Sequence, residues 1–539
     1  VSPLADPQPL VWRDYAAAAV LALAIAVGGA LRMVPGVVGV IDDDAIYTVT
    51  AKALAEGDGY YLINLPGEPA QTKYPVLFPA LLSLAWHAGD SLESRIFAAQ
   101  CATTALAALA LALAWLYCVR FRVGSRSSAF AGCLLAASAQ NVLFYSSQTL
   151  SEMPFLVLLV AALWAGETRL RAVASSPARE FLAGVVLALP LLVRTAGAVV
   201  PMAAALVLLR HGRPLRWVVP GMVAVGLPWA LWVLHGSDAA ADAVIAYQTD
   251  YWGWWLDHGS LQTVAANAYK AGEAFVHIDL EGFAHALYTY GGGATWLFFA
   301  IGILPWIAVV AEARSFGLLP VTLLAYVALL CAWPWPPDRF LVPVLPFLGA
   351  LLFEATRRAL RKTGAGRGGE IALGGLLVAA LLSNGWVLSR YVSASRQSGY
   401  PYFMLTDAPV DWRQYQIAFE WLRGHSRPDD VIAAGFDAMT ALYTDRHTVR
   451  PFELNSQAMF YGGTGSPISG VGEFEKILAR HGARFLLLAP LPAYVVEEAF
   501  YELVNAAIDG RPGLLRPVWQ SKEDSRFAIF EISARPAGF

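Results

Sequence analysis

Apolar residues in this chain come in long runs, not in the alternating rhythm of half-buried strands. Runs near 15 to 34, 92 to 118, 127 to 145, 149 to 166, 215 to 235, 293 to 311, 316 to 333, 339 to 356 and 371 to 389 approach or reach the length, about 20 residues, that a helix needs to cross hydrocarbon. A helix satisfies its own backbone hydrogen bonds there, so each run predicts a spanning helix. The stretch 181 to 209 is too long for one upright span and has arginines at both ends: Arg169, Arg171 and Arg179 before it, Arg210, Arg213 and Arg216 after it. Basic residues favour the cytoplasmic side, so this stretch is expected to turn back at Arg194-Thr195-Ala196-Gly197 near the outer surface.

The same rule places Arg120, Arg122 and Arg126 inside, together with the cluster Arg357, Arg358, Arg361, Lys362 and Arg367. Segment 74 to 87 is then left without a crossing. Its short length and two prolines suit an amphipathic or re-entrant helix in the outer interface. Counting 181 to 209 as two spans gives about eleven crossings, with the N-terminus cytoplasmic and the C-terminus outside. The first run follows one arginine and lacks a small-residue cleavage pattern, so it reads as a retained span and not a signal peptide.

After residue 390 the rhythm changes. A helical pattern at 412 to 424, an apolar strand at 431 to 436, a helix at 474 to 479 ending near Gly482, and strands at 484 to 488 and 527 to 532 describe a small α/β domain. The expected organisation is a polytopic α-helical transmembrane domain, 1 to 390, with outer loops 41 to 73 and 236 to 293, and a C-terminal extramembrane α/β domain, 391 to 539.

Composition agrees with a membrane protein: of 539 residues 57% are hydrophobic and only 15% charged, against about a quarter charged in soluble domains. A net charge of -3, with arginines in short clusters, excludes a nucleic-acid surface. Cys101, Cys118, Cys133 and Cys331 lie in or beside apolar segments with no zinc or disulfide spacing, and read as small core hydrophobes.

The candidate chemistry falls on the outer side. Asp42-Asp43-Asp44 follows the first span, and three adjacent carboxylates beside lipid must be paired, protonated or bound to a cation. One could cap the following helix, but capping needs only one. Lys73 opens the interfacial segment, where it can snorkel to headgroups or hold a phosphate. Glu152, at the start of a span beside Pro154, suits the positive helix end without catalysis. Arg194, at the tip of an apolar turn, calls for an anionic partner, and Arg339 can pair with Asp338 or with a ligand. Tyr247, Tyr251, Trp252, Trp254 and Trp255 read as an interfacial aromatic belt or as platforms for sugar or prenyl chain. Asp257, His258, His277 and Asp279 are a weak metal set, whereas oxygen ligands at Asp42, Asp43 and Asp44 would suit Mg or Mn.

In order along the chain, Asp43-Asp44-Ala45-Ile46-Tyr47, Lys73-Tyr74-Pro75, Ser151-Glu152-Met153, Leu192-Val193-Arg194-Thr195-Ala196-Gly197 and Arg339-Phe340-Leu341-Val342-Pro343 stand at outer helix ends. In this arrangement the chain resembles the GT-C superfamily of membrane glycosyltransferases, in the branch of bacterial aminoarabinose transferases and protein O-mannosyltransferases. The family motif is usually Asp-Glu, whose first residue acts on the acceptor; aligned by the tyrosine three positions on, that residue is Asp43, with Asp44 in place of the Glu and an extra Asp42 before it. Ile46 stands where some aminoarabinose transferases carry an arginine, which argues against that same substrate.

The resemblance implies a multi-pass enzyme of a bacterial inner membrane that transfers a hexosyl or pentosyl group from a polyprenyl-phosphate-linked donor to a hydroxyl of a lipid, glycan or protein. Asp43 and Asp44 are then the catalytic candidates and Lys73, Arg194, Arg339 and Tyr47 the phosphate or donor contacts. Asp42, Glu152, Tyr74, Trp252 and Trp255 are further site candidates. No cofactor is required, or a divalent cation serves. No nucleotide-binding glycine loop appears, since Gly291-Gly292-Gly293 follows no strand and reads as a loop end. Two alternatives from other classes are a secondary transporter, which would show internal repeats and midplane charges, and a membrane sensor or assembly protein, which would leave the acidic cluster unexplained.

Overall fold

The computed structural model describes residues 6–172, 175–236, 243–290, 295–405, 409–491 and 496–533. Its helices up to the tail are α1 (Trp12–Arg32), α2 (Asp43–Glu56), α3 (Leu77–Ala85), α4 (Leu92–Phe121), α5 (Arg126–Ser138), α6 (Gln140–Ser147), α7 (Glu152–Arg171), α8 (Pro177–Ala188), α9 (Val199–Arg210) and α10 (Val218–Gly236). There follow α11 (Ala243–Thr249), α12 (Tyr251–His258), α13 (Leu261–Asp279), α14 (Glu281–Tyr290), α15 (Thr295–Ala313), α16 (Leu318–Cys331), α17 (Asp338–Leu341), α18 (Leu345–Lys362) and α19 (Gly366–Ser398). Among the described residues seven segments are long and apolar enough to cross a membrane, namely α1, α4, α7, α10, α15, the unit from α17 to α18, and α19. The chain is a multi-pass membrane protein.

Each expected crossing has a helix, but four differ from straight spans. The run 127 to 145 is broken into α5 and α6 with a 66° bend. The bend is held by side chains: Gln140 accepts from Arg32 Nε at 2.8 Å, and Ser138 Oγ accepts from Asn384 Nδ2 at 3.0 Å. α8 and α9 have 12 residues each and α16 has 14. At 1.5 Å per residue they reach roughly 18–21 Å, short of the roughly 30 Å hydrocarbon core. About eleven crossings are therefore reached only if these partial spans are counted. α16 stops where Pro334, Pro336 and Pro337 remove the N–H groups that would continue it. Arg194 lies between α8 and α9 in an extended residue flanked by two 3-10 turns, at the expected turn.

Two boundaries also move. α19 runs on to Ser398, past the expected limit at 390. Within the expected loop 236 to 293 the described residues are mostly helical, in α11 to α14: α13 packs along α15, and its last carbonyl, of Asp279, accepts from Asn384 Nδ2 at 2.8 Å inside α19. Gly291-Gly292-Gly293 lies outside the described residues. α3, with 9 residues, is the short segment expected at 74 to 87.

Small residues let the helices approach closely. A Cβ at Gly132 of α5 would overlap the backbone of Gly349 and Ala350 in α18, and one at Gly184 of α8 would overlap the backbone of Val218 in α10. With lipid outside, such van der Waals approach is what holds spans together. Arginines gather at one end of the bundle and are matched there: Arg126 with Asp14 at 2.7 Å, Arg169 with Glu180 at 2.8 Å and Arg358 with Glu312 at 2.8 Å. α7, with 20 residues and thus roughly 30 Å long, separates that end from Glu152 at the other.

The tail is α/β as expected. Strands β1 (Val431–Ala434), β2 (Thr448–Val449), β3 (Ala483–Leu488), β4 (Leu515–Gln520) and β5 (Ala528–Ile532) form a five-stranded sheet in the order β2-β1-β3-β5-β4. β2, β1 and β3 run parallel, and β5 is antiparallel to both its neighbours. Helices α20 (Trp412–His425), α21 (Asp437–Thr444), α22 (Ser456–Phe460), α23 (Val471–Arg480) and α24 (Glu497–Gly510) accompany it. The tail is bound to the bundle at Arg32, which is fully buried at the end of α1 and donates to Gln140, to Ser395 Oγ and to the carbonyl of Tyr402.

Gly132→Ala is expected to cost about 1–3 kcal/mol, since the neighbouring backbone must move to admit the methyl group. Gly374→Ala, where a Cβ meets nothing within 4 Å, is the control. Thermal unfolding in detergent should show a lower Tm for the first variant only.

Candidate active site

The three aspartates after α1 point in three directions. Asp44 turns back on its own loop: Oδ2 accepts from the N–H groups of Gly39 at 2.8 Å and Val40 at 3.3 Å, and Oδ1 from that of Ile41 at 3.1 Å. Burial pushes its carboxyl up to about 6, against the lowering effect of the Gly39 and Ile41 N–H groups. Asp42 is buried against the tail, where it accepts from Arg450 Nη2 at 2.5 Å; Arg450 also donates to Asp437 at 3.2 Å. Of the three, only Asp43 lines the cavity between α2, the start of α3 and α17. A Mg or Mn ion shared by all three does not fit this arrangement, and among the described residues no three His, Cys, Asp or Glu side chains converge. Asp257 and Asp279 are kept apart by the length of α13, roughly 28 Å for 19 residues, so the other metal set does not form one site.

Around Asp43 five segments meet. Tyr74, just before α3, donates to Oδ1, and Arg339 of α17 donates through Nη1 to Oδ2 at 2.7 Å. Arg339 Nε also donates to Glu152 at the start of α7. Glu152 is fully buried, and its Oε1 accepts from Arg194 Nη1 at 2.7 Å as well. Arg194 reaches Ser151 Oγ at 3.1 Å, and the Tyr47 hydroxyl donates to the same oxygen at 2.9 Å. α7 can begin here because Pro154 sits in its first turn, where a missing N–H costs nothing.

Lys73 stands with its ammonium 3.4 Å from the centroid of the Tyr247 ring, and Arg450 lies 5.8 Å from the same centroid. Burial lowers the lysine to about 7, although the carboxylates of Asp43 and Asp42 pull the other way. Asp43 is the opposite case. Burial would raise its carboxyl, but the charges of Arg339 and Lys73, with the hydrogen bond from Tyr74, hold it below its ordinary value. Asp43 is therefore a carboxylate at neutral pH.

The cavity measures about 420 Å³. It brings together Asp43, Tyr47, Lys73, Tyr74, Arg194 and Arg339 from the expected set. Asp42, Asp44 and Glu152 lie behind this wall. Trp252 is 50% exposed, and Trp255 donates to the Ala332 carbonyl at 3.0 Å; neither lines the cavity. Of the expected aromatic residues Tyr247 does line it, and further rings come from Tyr145, Trp333, Trp335, Phe340, Phe403 and Phe460. Trp335 stacks on Trp254 with centroids 5.4 Å apart and meets Phe460 of the tail at 5.4 Å. The run Trp333-Pro334-Trp335-Pro336-Pro337 ahead of Asp338-Arg339 was the available signal, because prolines exclude helix and leave aromatic rings presented at a span end.

No protein-family model and no curated sequence matches the chain. Solved structures do match in fold. The crystal structure of ArnT from Cupriavidus metallidurans bound to undecaprenyl phosphate is 13% identical, covers 97% of this chain and 98% of its own, and superposes with a TM-score of 0.51. The apo state of the same protein gives 13%, 96%, 97% and 0.50. The Archaeoglobus fulgidus oligosaccharyltransferase in complex with Zn and sulfate is 15% identical over 95% of this chain and 72% of its own, with a TM-score of 0.55. The chain thus shares the fold of these structures, in line with the fold that the resemblance of its motifs implied.

The lowered Lys73 value sets a pH test. The unfolded chain keeps the lysine proton up to the ordinary 10.5, while the folded protein releases it near 7, so this group makes stability rise with pH across that window. Relative to wild type, Lys73→Met is expected to raise Tm most below pH 7, with the gain shrinking as pH approaches 10.5. Melting curves of both proteins across that range check the sign.

Proposed function

We propose that the protein is an inverting glycosyltransferase that takes a sugar from a polyprenyl phosphate and places it on an acceptor hydroxyl. The observation that carries this reading is the cavity wall where the Asp43 carboxylate stands beside Lys73, Arg194 and Arg339. The ArnT structure, bound to undecaprenyl phosphate, supports a lipid phosphate as the ligand of such a cavity.

In this mechanism an acceptor hydroxyl approaches Asp43. Its oxygen attacks the anomeric carbon on the face opposite the phosphate, and the carbon–phosphate oxygen bond breaks. The hydroxyl proton passes to Asp43, and the bonding pair leaves on the polyprenyl phosphate. A base whose pKa is held low takes the proton late, when bond formation has already made the hydroxyl acidic. Arg339, Arg194 and Lys73 offset the charge that grows on the leaving phosphate, and in a site shielded from water this electrostatic work is the largest contribution. Phosphate beside Lys73 would also restore the lysine's proton, since an anion favours the charged form.

Two further features belong to this proposal. The arginine-rich end of the bundle would be cytoplasmic and the cavity and tail would face the outer side, by the positive-inside rule. The prenyl chain would lie along the apolar lining, and the acceptor would be a lipid, a glycan or a protein.

The test is transfer from a panel of radiolabelled polyprenyl-phosphate sugars into membrane extract. Asp43→Asn should lose about 10²–10⁴-fold in rate, the usual contribution of a positioned base, while still binding donor. Lys73→Met should weaken binding of polyprenyl phosphate itself. Failure of the wild type to bind any polyprenyl-phosphate sugar would sink the proposal.

A further inference from the structure

Asp42 has φ 70° and ψ −59°, and the Asp43 N–H donates to the Ile41 carbonyl at 2.9 Å. This is a γ-turn centred on Asp42, of the form with positive φ. That conformation is rare and strained for a residue with a Cβ, and such strain persists only where the surroundings over-determine it. The next residue is Asp43.

The surroundings that hold the turn come from the tail. Arg450, immediately after β2, binds the Asp42 carboxylate at 2.5 Å and is itself braced by Asp437 at the start of α21. α21 lies on the same loop along its length. Tyr443 donates through its hydroxyl to the Gly36 carbonyl at 3.0 Å and accepts from the Val38 N–H at 3.1 Å, and Met439 fills the place where Gly39 has no Cβ. Within the loop, Asp44 clamps the N–H groups of Gly39, Val40 and Ile41. Two clamps, one local and one from some 400 residues away in sequence, therefore fix the peptide that carries Asp43.

Resting on the reading of Asp43 as the base, we propose that Arg450 is a positioning residue acting through Asp42, so that the C-terminal domain sets the aim of Asp43 in addition to lining the cavity. The strained turn is the coupling element. If the Arg450 tie is lost, Asp42 relaxes to negative φ and carries the Asp43 side chain away from Arg339 and Tyr74. A displacement of about 1 Å at a reacting group is enough to cost roughly 10²-fold in rate.

The test separates the tie from the charge. Asp42→Ala and Asp42→Gly both remove the carboxylate, but only glycine adopts this turn without strain. In the full-length protein, Asp42→Ala should lose roughly 10²-fold in kcat with donor Kd unchanged. Asp42→Gly should lose far less. Arg450→Met should fall like Asp42→Ala, and Arg450→Met combined with Asp42→Gly should recover most of the loss, whereas Arg450→Met with Asp42→Ala should not. Hydrogen exchange at residues 39 to 43 gives a readout that does not need transfer: exchange should quicken in Asp42→Ala and Arg450→Met and slow again in the glycine double variant. Equal kcat and equal exchange for Asp42→Ala and Asp42→Gly would overturn the inference. If the exchange pattern holds while no variant and no wild type transfers sugar, the tie stands and the proposed reaction fails.

Discussion

A charge withdrawn from water at the edge of hydrocarbon must find a partner, and that requirement organises this molecule. Glu152 is fully buried at the start of α7 and is matched by Arg194 and Arg339. Arg339 is matched in turn by Asp43. Removing one member of such a set typically costs about 3–5 kcal/mol, because the remaining charge stays buried. The pairing therefore pins together α2, α7, the break between α8 and α9, and α17, and the cavity is the space left where these ends meet.

The other end of the bundle obeys the same rule with a different outcome. There Arg169 and Glu180 form a buried pair, whereas Arg126 and Arg358, whose side chains remain about half exposed, pair with Asp14 and Glu312. Such pairs contribute little stability and mark a membrane surface. Burial separates these exposed pairs from those around Asp43: Glu152, Arg194 and Arg339 are largely withdrawn from water, while Arg126 and Arg358 remain in reach of it.

The C-terminal domain is joined to this charge network and not merely attached to the last span. Its Arg450 reaches Asp42, Phe460 meets Trp335 at the cavity wall, and the Tyr402 carbonyl accepts from Arg32. A domain seated at these three places cannot move far without exposing buried charge or opening the cavity. Both the acidic loop and the aromatic wall thus depend on residues that lie at opposite ends of the sequence.

The sequence by itself determined the class of fold and the charged residues that gather at one end of the bundle, because runs of apolar residues, flanking arginines and lone charges beside lipid are local properties. It placed Asp43, Lys73, Arg194 and Arg339, and the strands at 431 and 484, close to where they stand. What only the tertiary structure decided was the division of labour among neighbours. Asp42, Asp43 and Asp44 are chemically identical, and nothing in their order tells that one binds the tail, one the cavity and one its own loop. Trp255 and Trp335 are equally alike, yet one is tied to the Ala332 carbonyl and the other faces the cavity. The bend at Ala139 escaped for a related reason: an apolar run tells that a helix is buried, whereas this break is held by partners, Arg32 and Asn384, that arrive from distant segments. Proton affinity and direction belong to the surroundings of a side chain, and those surroundings exist only once the chain has folded.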